Sequence, residues 1–432
     1  MSSSLQVMEL EQRYACHNYH PLSVVAARAR GAHVWDPEGR KYLDFLSAYS
    51  SVNQGHCHPA IVKALVDQAH TLTLCSRAFY SDQLGPFAKF VTEYFGYESM
   101  LPMNTGAEAV ESGIKLARKW GYMKKGIPDN EAIVFSCTDN FHGRTTSIIS
   151  MSTDLEARTH FGPYMPNVGP YCPKTGKYIR FNHIEDLEEA LEHHGKNVAA
   201  FLVEPIQGEA GVVVPDDGYM AKAFALCKKH NVLFIADEIQ TGICRTGKLL
   251  ATHYDGIKPD IVLLGKAVAG GCYPVSLVLS DKHIMDCIQP GEHGSTFGGN
   301  PLACAVATAA LTVAKEEKLS ERAFSLGQKF REALRKLNSP LITAIRGRGL
   351  LNAIVLDESK TNGRTAVDFC IVLKEKGLLA KYTHGNIVRL APPIVISEED
   401  LLDGVKIIGE VLETLPNIEK RSNSYHAGIT QY

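Results

Sequence analysis

Two apolar runs in this sequence end in residues that can do chemistry. Val232-Leu233-Phe234-Ile235-Ala236 stops at Asp237-Glu238, and Ile261-Val262-Leu263-Leu264-Gly265 stops at Lys266, with Gly270-Gly271 close behind. The two end residues lie 266 − 237 = 29 positions apart, which leaves room for one connection between neighbouring strands. A lysine at the tip of a buried strand is partly desolvated, which lowers its pKa and makes the amine a nucleophile. A third element stands upstream, where Asn104-Thr105-Gly106-Ala107-Glu108 opens a helix that the pattern carries through Trp120. Thr105 and Glu108 match the S/T-x-x-E capping box, and Gly106 has no Cβ to keep an anion from the backbone. Free N–H groups and a positive dipole end make such a helix start a phosphate cup. Taken singly, each has an ordinary structural account: a surface lysine, an aspartate opening a turn, a capped helix. Together they specify a pyridoxal phosphate site. Lys266 would bond to the cofactor, Asp237 would hold the pyridine nitrogen protonated, and the helix start at Thr105, Gly106 and Ala107 would bind the phosphate.

The elements that must position these residues follow from periodicity. From about residue 60, short continuously apolar runs at 132–137, 198–204, 232–237, 261–264 and 275–279 occur with helical patterns between several of them, such as 219–230. Runs without alternation are strands buried on both faces, so the fold class is α/β, a mostly parallel sheet flanked by helices. Ligands of such sheets lie outside the carboxyl ends of the strands, where Asp237 and Lys266 stand. Upstream, 33–35 and 42–45 are extended, and Asp36-Pro37-Glu38-Gly39 between them suits a type I turn. Downstream, one long helical stretch from Asn300-Pro301 to Leu337 leads into a smaller α+β unit. Its extended runs are 342–345, 351–356 and 387–390, with helices near 366–376 and 398–415. The expected division is an N-terminal segment 1–48 packing with the small domain, a large domain 49–300, and a small domain 301–432 frayed from about 419. The Pro- and Gly-rich segment 166–178 is expected to be a surface loop.

Composition removes several classes of function. A chain of 432 residues exceeds what one core usually supports, about 250–300 residues. Hydrophobic residues at 45% and charged residues at 21% exclude a disordered or fibrous chain. Lys+Arg 45 against Asp+Glu 47 leaves −2, so no basic excess draws nucleic acid or an anionic membrane. The weakly polar run 301–314 is too short and too rich in Ala and Thr to span a bilayer. Eleven cysteines are scattered without a CxxC, which fits reduced thiols better than a disulfide framework. His56-Cys57-His58 is bracketed by Gly55 and Pro59 as a turn, and adjacent side chains there point to opposite faces, so no metal is expected. The start MSSSLQVMELEQRY has neither a basic-then-apolar leader nor an Arg-rich pattern, and a cytoplasmic location is expected over a mitochondrial one.

From about Asn18 to Leu415 the chain resembles the class III, fold-type I aminotransferases, most closely the members that act on ornithine. The resemblance rests on long blocks in a shared order: FLSAYSSVNQGHCHP, SRAFYS, MNTGAEAVES, NFHGRT, VEPIQGEAGVVVP, LFIADEIQTG, KPDIVLLGKAVAGG, PGEHGSTFGGNP and RGRGLLNAIV. It implies a large domain with a mostly parallel sheet, and a smaller α+β domain built from the C-terminal part with the N-terminal segment. It implies that Lys266 shuttles a proton, that Gln240 bonds the ring hydroxyl, that Phe141 stacks on the ring, and that His142 and Glu204 border the cofactor. His142 stands where the animal members have an aromatic Trp, so stacking or pocket polarity is expected to differ. Ser295 and Thr296 resemble residues that reach the phosphate of a neighbouring subunit, which implies a homodimer or higher assembly with sites at the interface.

For the substrate the resemblance implies Tyr49, Tyr80, Arg144, Glu209 and Arg389. Arg389 would take the α-carboxylate of glutamate, with Glu209 masking it while ornithine is bound. Arg144 and Tyr49, with Tyr80 nearby, would hold the far end of ornithine. The implied reaction passes the δ-amine of L-ornithine to 2-oxoglutarate in ping-pong half-reactions, giving glutamate 5-semialdehyde, which cyclises to pyrroline-5-carboxylate, and glutamate. That places it in arginine catabolism and proline biosynthesis. Acetylornithine and 4-aminobutyrate aminotransferases share the cofactor residues and are the alternative. A catalytically dead binding protein with the same fold is disfavoured by the intact Lys266 and Asp237.

Overall fold

The computed structural model describes residues 3–419. Three short strands come first, β1 (Arg28–Arg30), β2 (His33–Trp35) and β3 (Lys41–Asp44), paired antiparallel. Between β2 and β3 the N–H of Gly39 donates to the carbonyl of Asp36 at 3.1 Å, the closing bond of the expected turn. The central sheet follows in chain order as β4 (Ser99–Met103), β5 (Ile133–Phe135) and β6 (Val168–Gly169). After a hairpin of β7 (Tyr171–Cys172) and β8 (Lys177–Tyr178) it continues as β9 (Val198–Val203), β10 (Leu233–Asp237), β11 (Ile261–Leu264) and β12 (Ser276–Ser280). The spatial order is β4-β12-β11-β10-β9-β5-β6.

Strands β6, β5, β9, β10 and β11 are parallel, while β12 runs antiparallel to both β11 and β4. The apolar run at 275–279 is therefore the reversed strand of a mostly parallel sheet. Two reversals cancel, so β4 points the same way as β10 and β11. The helix start at Gly106 consequently opens on the same sheet edge as Asp237 and Lys266.

Every residue of β9, β10 and β11 is buried. Alternate residues of β11 face opposite layers, as the two-residue period of a strand requires. Ile261 and Leu263 join Val110 and Ile114 of helix Gly106–Trp120 on one side. Val262 and Leu264 join Leu302 and Val306 of helix Pro301–Glu316 on the other. Each such aliphatic side chain withdrawn from water contributes about 1.5–3 kcal/mol. The first helix lies so close to the sheet that a Cβ on Gly113 would sit 3.0 Å from Leu263.

The C-terminal part forms an antiparallel sheet of β13 (Ile342–Arg348), β14 (Leu351–Leu356), β16 (Lys381–Thr383) and β17 (Ile387–Leu390), in the order β13-β14-β17-β16. The intervening β15 (Leu378–Leu379) pairs parallel with β3 and so extends the N-terminal strands. Phe45, just past β3, meets Phe330 of helix Leu319–Lys336 edge to face at 5.8 Å.

Three expectations need correction or limit. The stretch from Pro301 to Leu337 is two helices, Pro301–Glu316 and Leu319–Lys336, broken where Lys318 turns left-handed with φ +51°. Segment 166–178 is more than a surface loop: β6 completes the sheet edge, and Cys172 of the hairpin is buried. Two-residue strands among prolines leave no period to read. The expected frayed tail, apart from Glu419, lies outside the described residues. Among the described residues no helix is long and apolar enough to cross a membrane.

Candidate active site

The carboxyl edge of the sheet gathers the expected residues. Strand β10 ends at Asp237, β11 is followed by Lys266, β9 by Glu204, and the segment after β5 carries Phe141 and His142. With Gly106, Ala107 and Gln240 they line one cavity of about 160 Å³, bounded also by Gly143, Ile239 and Thr241. Helix and strand ends from five parts of the chain thus converge on one point, as the carboxyl edge of an open α/β sheet predicts.

At the helix start the capping box is formed. Thr105 Oγ1 accepts from the N–H of Glu108 at 3.2 Å, and the Glu108 carboxylate accepts from the N–H groups of Thr105 at 2.8 Å and Asn104 at 2.9 Å. That arrangement engages the outer amides but leaves those of Gly106 and Ala107, which have no intrahelical acceptor, at the cavity wall. Thr105 itself is exposed and does not line the cavity; it acts as the cap. A Cβ on Gly106 would press within 3.2 Å of Ile239, so the helix end and the strand-end loop approach as closely as they can.

Asp237 is buried. Its Oδ2 lies 2.7 Å from His142 Nδ1, and its Oδ1 accepts from the N–H of Ile239 at 3.1 Å. His142 lines the cavity and backs the carboxylate, so a polar ring stands there against Asp237. Burial pulls the His142 imidazole down, but the bond to Asp237 and the charges of Asp237 and Glu204 outweigh it, so its pKa is raised. Its Nε2 is buried without a hydrogen-bond partner among the described residues. Lys266 sits in the left-handed region with φ +46°. Desolvation lowers its ammonium pKa, opposed by Asp237 and reinforced by Arg389. Gln240 reaches the cavity because residue 208 is glycine: a Cβ there would lie 2.0 Å from Gln240 Oε1.

Glu204 accepts from the N–H of Phe141 at 3.0 Å and of Gly208 at 3.3 Å. Burial pushes its carboxyl from 4.5 up to about 7. A carboxyl whose folded pKa exceeds its unfolded one holds its proton more tightly in the folded state, so its contribution to stability is full below about pH 4.5 and is lost as pH rises to 7. Glu204→Gln should flatten that decline by roughly 2–3 kcal/mol, at about 1.4 kcal/mol per pKa unit. Urea midpoints of the cofactor-free protein between pH 4.5 and 7.5 would check it, and parallel slopes for wild type and variant would rule it out.

The substrate-side residues come together from distant parts of the chain. Arg389, on β17 and almost wholly buried, bonds Glu209 Oε2 at 2.5 Å and the Gly208 carbonyl at 3.4 Å. Its guanidinium lies 4.6 Å from the ring centre of Tyr49. Tyr49 belongs to Ser47–Ser50, a single left-handed turn with φ of +52°, +45°, +59° and +71°. The Arg144 guanidinium lies 5.8 Å from the Phe141 ring and 5.6 Å from that of Tyr19. Tyr19 was not expected; it stands in N-terminal coil with no motif around it. Ser295 is tethered beside the helix start, its Oγ accepting from Asn104 Nδ2 at 2.9 Å. Tyr80 and Thr296 lie elsewhere within this chain: both are exposed and line a separate groove of about 550 Å³. Within this chain Tyr80 thus lines a different groove from the one that holds Lys266.

The donor set fits pyridoxal phosphate. Two amides at a helix start suit the phosphate, a paired carboxylate with unused lone pairs suits the ring nitrogen, and Phe141 offers a flat face. The closely fitted Gly106 and Gly208 leave room that a Cβ would fill.

Comparison with known proteins agrees with this geometry. The family model for aminotransferase class-III matches residues 14–412. An ornithine aminotransferase of Schizosaccharomyces pombe is 63% identical over 96% of this chain and 95% of its own length. The structure of an ornithine aminotransferase from Toxoplasma gondii, with partial occupancy of PLP at its active site, is similar with a TM-score of 0.91 and 47% identity over 96% of this chain and 95% of that one. An acetylornithine aminotransferase from Elizabethkingia anophelis is similar with a TM-score of 0.84 and 52% identity, covering 96% of this chain and all 100% of that one. With the matched model spanning nearly the whole chain and the lysine, carboxylate and phosphate cup gathered on one sheet edge, the protein belongs to the class III aminotransferases.

Proposed function

We propose that the protein is a pyridoxal phosphate-dependent ornithine δ-aminotransferase that passes the δ-amine of L-ornithine to 2-oxoglutarate. The observation that carries this reading is the Arg389–Glu209 pair beside Tyr49, at the edge of the Lys266 cavity. One site must accept two unlike substrates. Ornithine reacts through a terminal amine with its charges at the far end, whereas the 2-oxo acid carries a carboxylate next to the reacting carbon. A guanidinium masked by a removable carboxylate meets both demands. The Arg389 side chain is 4% exposed and that of Glu209 35%, so Glu209 is the partner that can swing into water. Arg389 then offers a carboxylate its two-pronged fork. Arg144 and Tyr49 hold the α-carboxylate and α-amine of ornithine.

The cofactor supplies an electron sink beside the substrate amine. Around it, the amides of Gly106 and Ala107 hold the phosphate, Asp237 paired with His142 holds the proton on the ring nitrogen, and Gln240 bonds the ring hydroxyl. The Lys266 amine, lowered in pKa by desolvation, is suited to take a proton from the donor carbon and return it. The reading includes a homodimer. Exposed Phe79 and Tyr80 beside Thr296, with Phe297 next to it, form an apolar surface that a second copy would cover.

A second reading has support in the 52% identity to an acetylornithine aminotransferase. A donor screen with L-ornithine, N-acetylornithine and 4-aminobutyrate separates them, with o-aminobenzaldehyde trapping pyrroline-5-carboxylate. Ornithine should react at least about tenfold faster than the others, a difference of about 1.4 kcal/mol; preference for N-acetylornithine would overturn the assignment. In single-turnover half-reactions followed by cofactor absorbance, Glu209→Ala should speed the glutamate half-reaction relative to ornithine by at least about tenfold, since unpairing a close charge pair is worth a few kcal/mol. An unchanged ratio would remove the switch.

A further inference from the structure

Arg245 is fully buried, yet it belongs to neither wall of the cavity. All five of its N–H donors are used. Nε donates to Asn53 Oδ1 at 3.0 Å, and Nη2 to the same oxygen at 2.6 Å and to Ser47 Oγ at 3.2 Å. Nη1 donates to the carbonyls of Leu350 at 2.9 Å and Pro392 at 2.7 Å. Among the described residues none of these acceptors is a carboxylate. A guanidinium offers five donors in a rigid fork, and here the fork is saturated by neutral groups alone. Burial pushes its pKa down to about 9, with Asp44 opposing from a distance.

The acceptors are informative. Ser47 opens the left-handed turn Ser47–Ser50 that carries Tyr49, and Asn53 follows that turn. Four consecutive left-handed residues without glycine persist only where surrounding bonds over-determine them. Ser47 Oγ in turn donates to the carbonyl of Ala391, and Asn53 Nδ2 donates to the carbonyl of Ile243 at 2.8 Å. The N–H of Ala391 donates to the Phe45 carbonyl at 2.7 Å, and that of Ile394 to the Asn53 carbonyl at 2.9 Å. Pro392 stands three residues beyond Arg389, and Leu350 immediately precedes β14, whose Ala353 is in register with Arg389. Arg245 itself follows Gln240 on the loop from β10. One side chain thus ties the loop bearing Asp237 and Gln240 to the turn bearing Tyr49 and the strand end bearing Arg389.

We infer that Arg245 is a positioning residue for carboxylate recognition, fixing Tyr49 against Arg389 and both against the Lys266 cavity. This rests on the proposed reading that Tyr49 and Arg389 contact the substrates. It predicts a selective defect. Substrates held by their carboxylates need the turn and the strand end in register, whereas a diamine lacking a carboxylate needs only the cavity.

The test uses loaded enzyme and single-turnover half-reactions with L-ornithine, L-glutamate and 1,4-diaminobutane. Arg245→Lys keeps a charge but has three donors in place of a planar five. It should raise the half-saturating concentrations of ornithine and glutamate at least about tenfold while the diamine rate stays within about twofold. Asn53→Ala should shift the same ratios in the same direction. A role in stability alone would lower the melting temperature of both variants and leave the ratios unmoved, which would overturn the inference. Arg389→Lys, run alongside, tests the underlying reading: if glutamate saturation ignores it, the clamp assignment fails. If Arg389→Lys shifts glutamate while Arg245→Lys and Asn53→Ala do not, the clamp stands and the positioning role falls. Should Arg245→Lys not fold, Asn53→Ala and Ser47→Ala decide, since each removes an acceptor and leaves the buried guanidinium in place.

Discussion

Lys266→Ala should abolish turnover and leave a folded protein that still binds the cofactor. The amine stands at the end of a fully buried strand, in the cavity with Asp237. Among the described residues no other lysine lines that cavity, so no described neighbour replaces it. The loss should reach at least about 10⁴-fold in kcat, near 5.5 kcal/mol of barrier. The helix-start amides of Gly106 and Ala107 and the face of Phe141, which are proposed to hold the cofactor, are untouched, so equilibrium dialysis should still detect bound cofactor. The cofactor-free variant should melt no lower than wild type. Desolvation lowers the Lys266 pKa in the folded state, so a protonated amine there costs stability, and that cost is full below the folded pKa. Repeated transamination near the wild-type rate would show that another group does this work. A collapse of the fold would show that the lysine is structural.

What could be read from sequence, and what could not, divides along the range of the interactions involved. Asp237 and Lys266 stand at strand ends, and an apolar run with a charged stop is visible in a handful of residues. The capping box at Thr105 and Glu108 is likewise local, and the structure forms it with the expected bonds. Strand direction is not local: the run of β12 reads the same forwards and backwards, and pairing with β4 and β11 reverses it. The pairing of Arg389 with Glu209 depends on the register of β17 against β14, which no spacing encodes. Family resemblance supplied that pair, as it supplied Tyr49 and Arg144. It also placed Tyr80 nearby, and within one chain Tyr80 stands exposed in another groove. Arg245 gave no signal, because arginine type predicts a surface residue and its four acceptors come from three separated segments. His142 was noticed as a departure, but its role is visible only once β10 and the segment after β5 are side by side.

That last contact sets the second large effect. Asp237→Asn preserves side-chain shape, and its oxygen can still accept from the Ile239 N–H. What changes is the side facing His142. The wild-type carboxylate receives the imidazole at 2.7 Å and raises the His142 pKa against the pull of burial. An amide removes the charge that raises the imidazole's pKa, and burial then dominates. The His142 pKa should fall below its ordinary value, measurable by NMR titration of the cofactor-free protein. A neutral amide can no longer hold a proton on the ring nitrogen, and a buried charge that loses its partner costs about 3–5 kcal/mol. The half-reaction with ornithine should slow by roughly 10²–10⁴-fold, at about 1.4 kcal/mol per tenfold. His142→Gln keeps the Asp237 charge and should cost far less, because the amide can still donate to Asp237 Oδ2. A loss of only a few-fold in Asp237→Asn, with the His142 titration unmoved, would mean that Asp237 is neither the ring's partner nor the source of the imidazole's raised pKa.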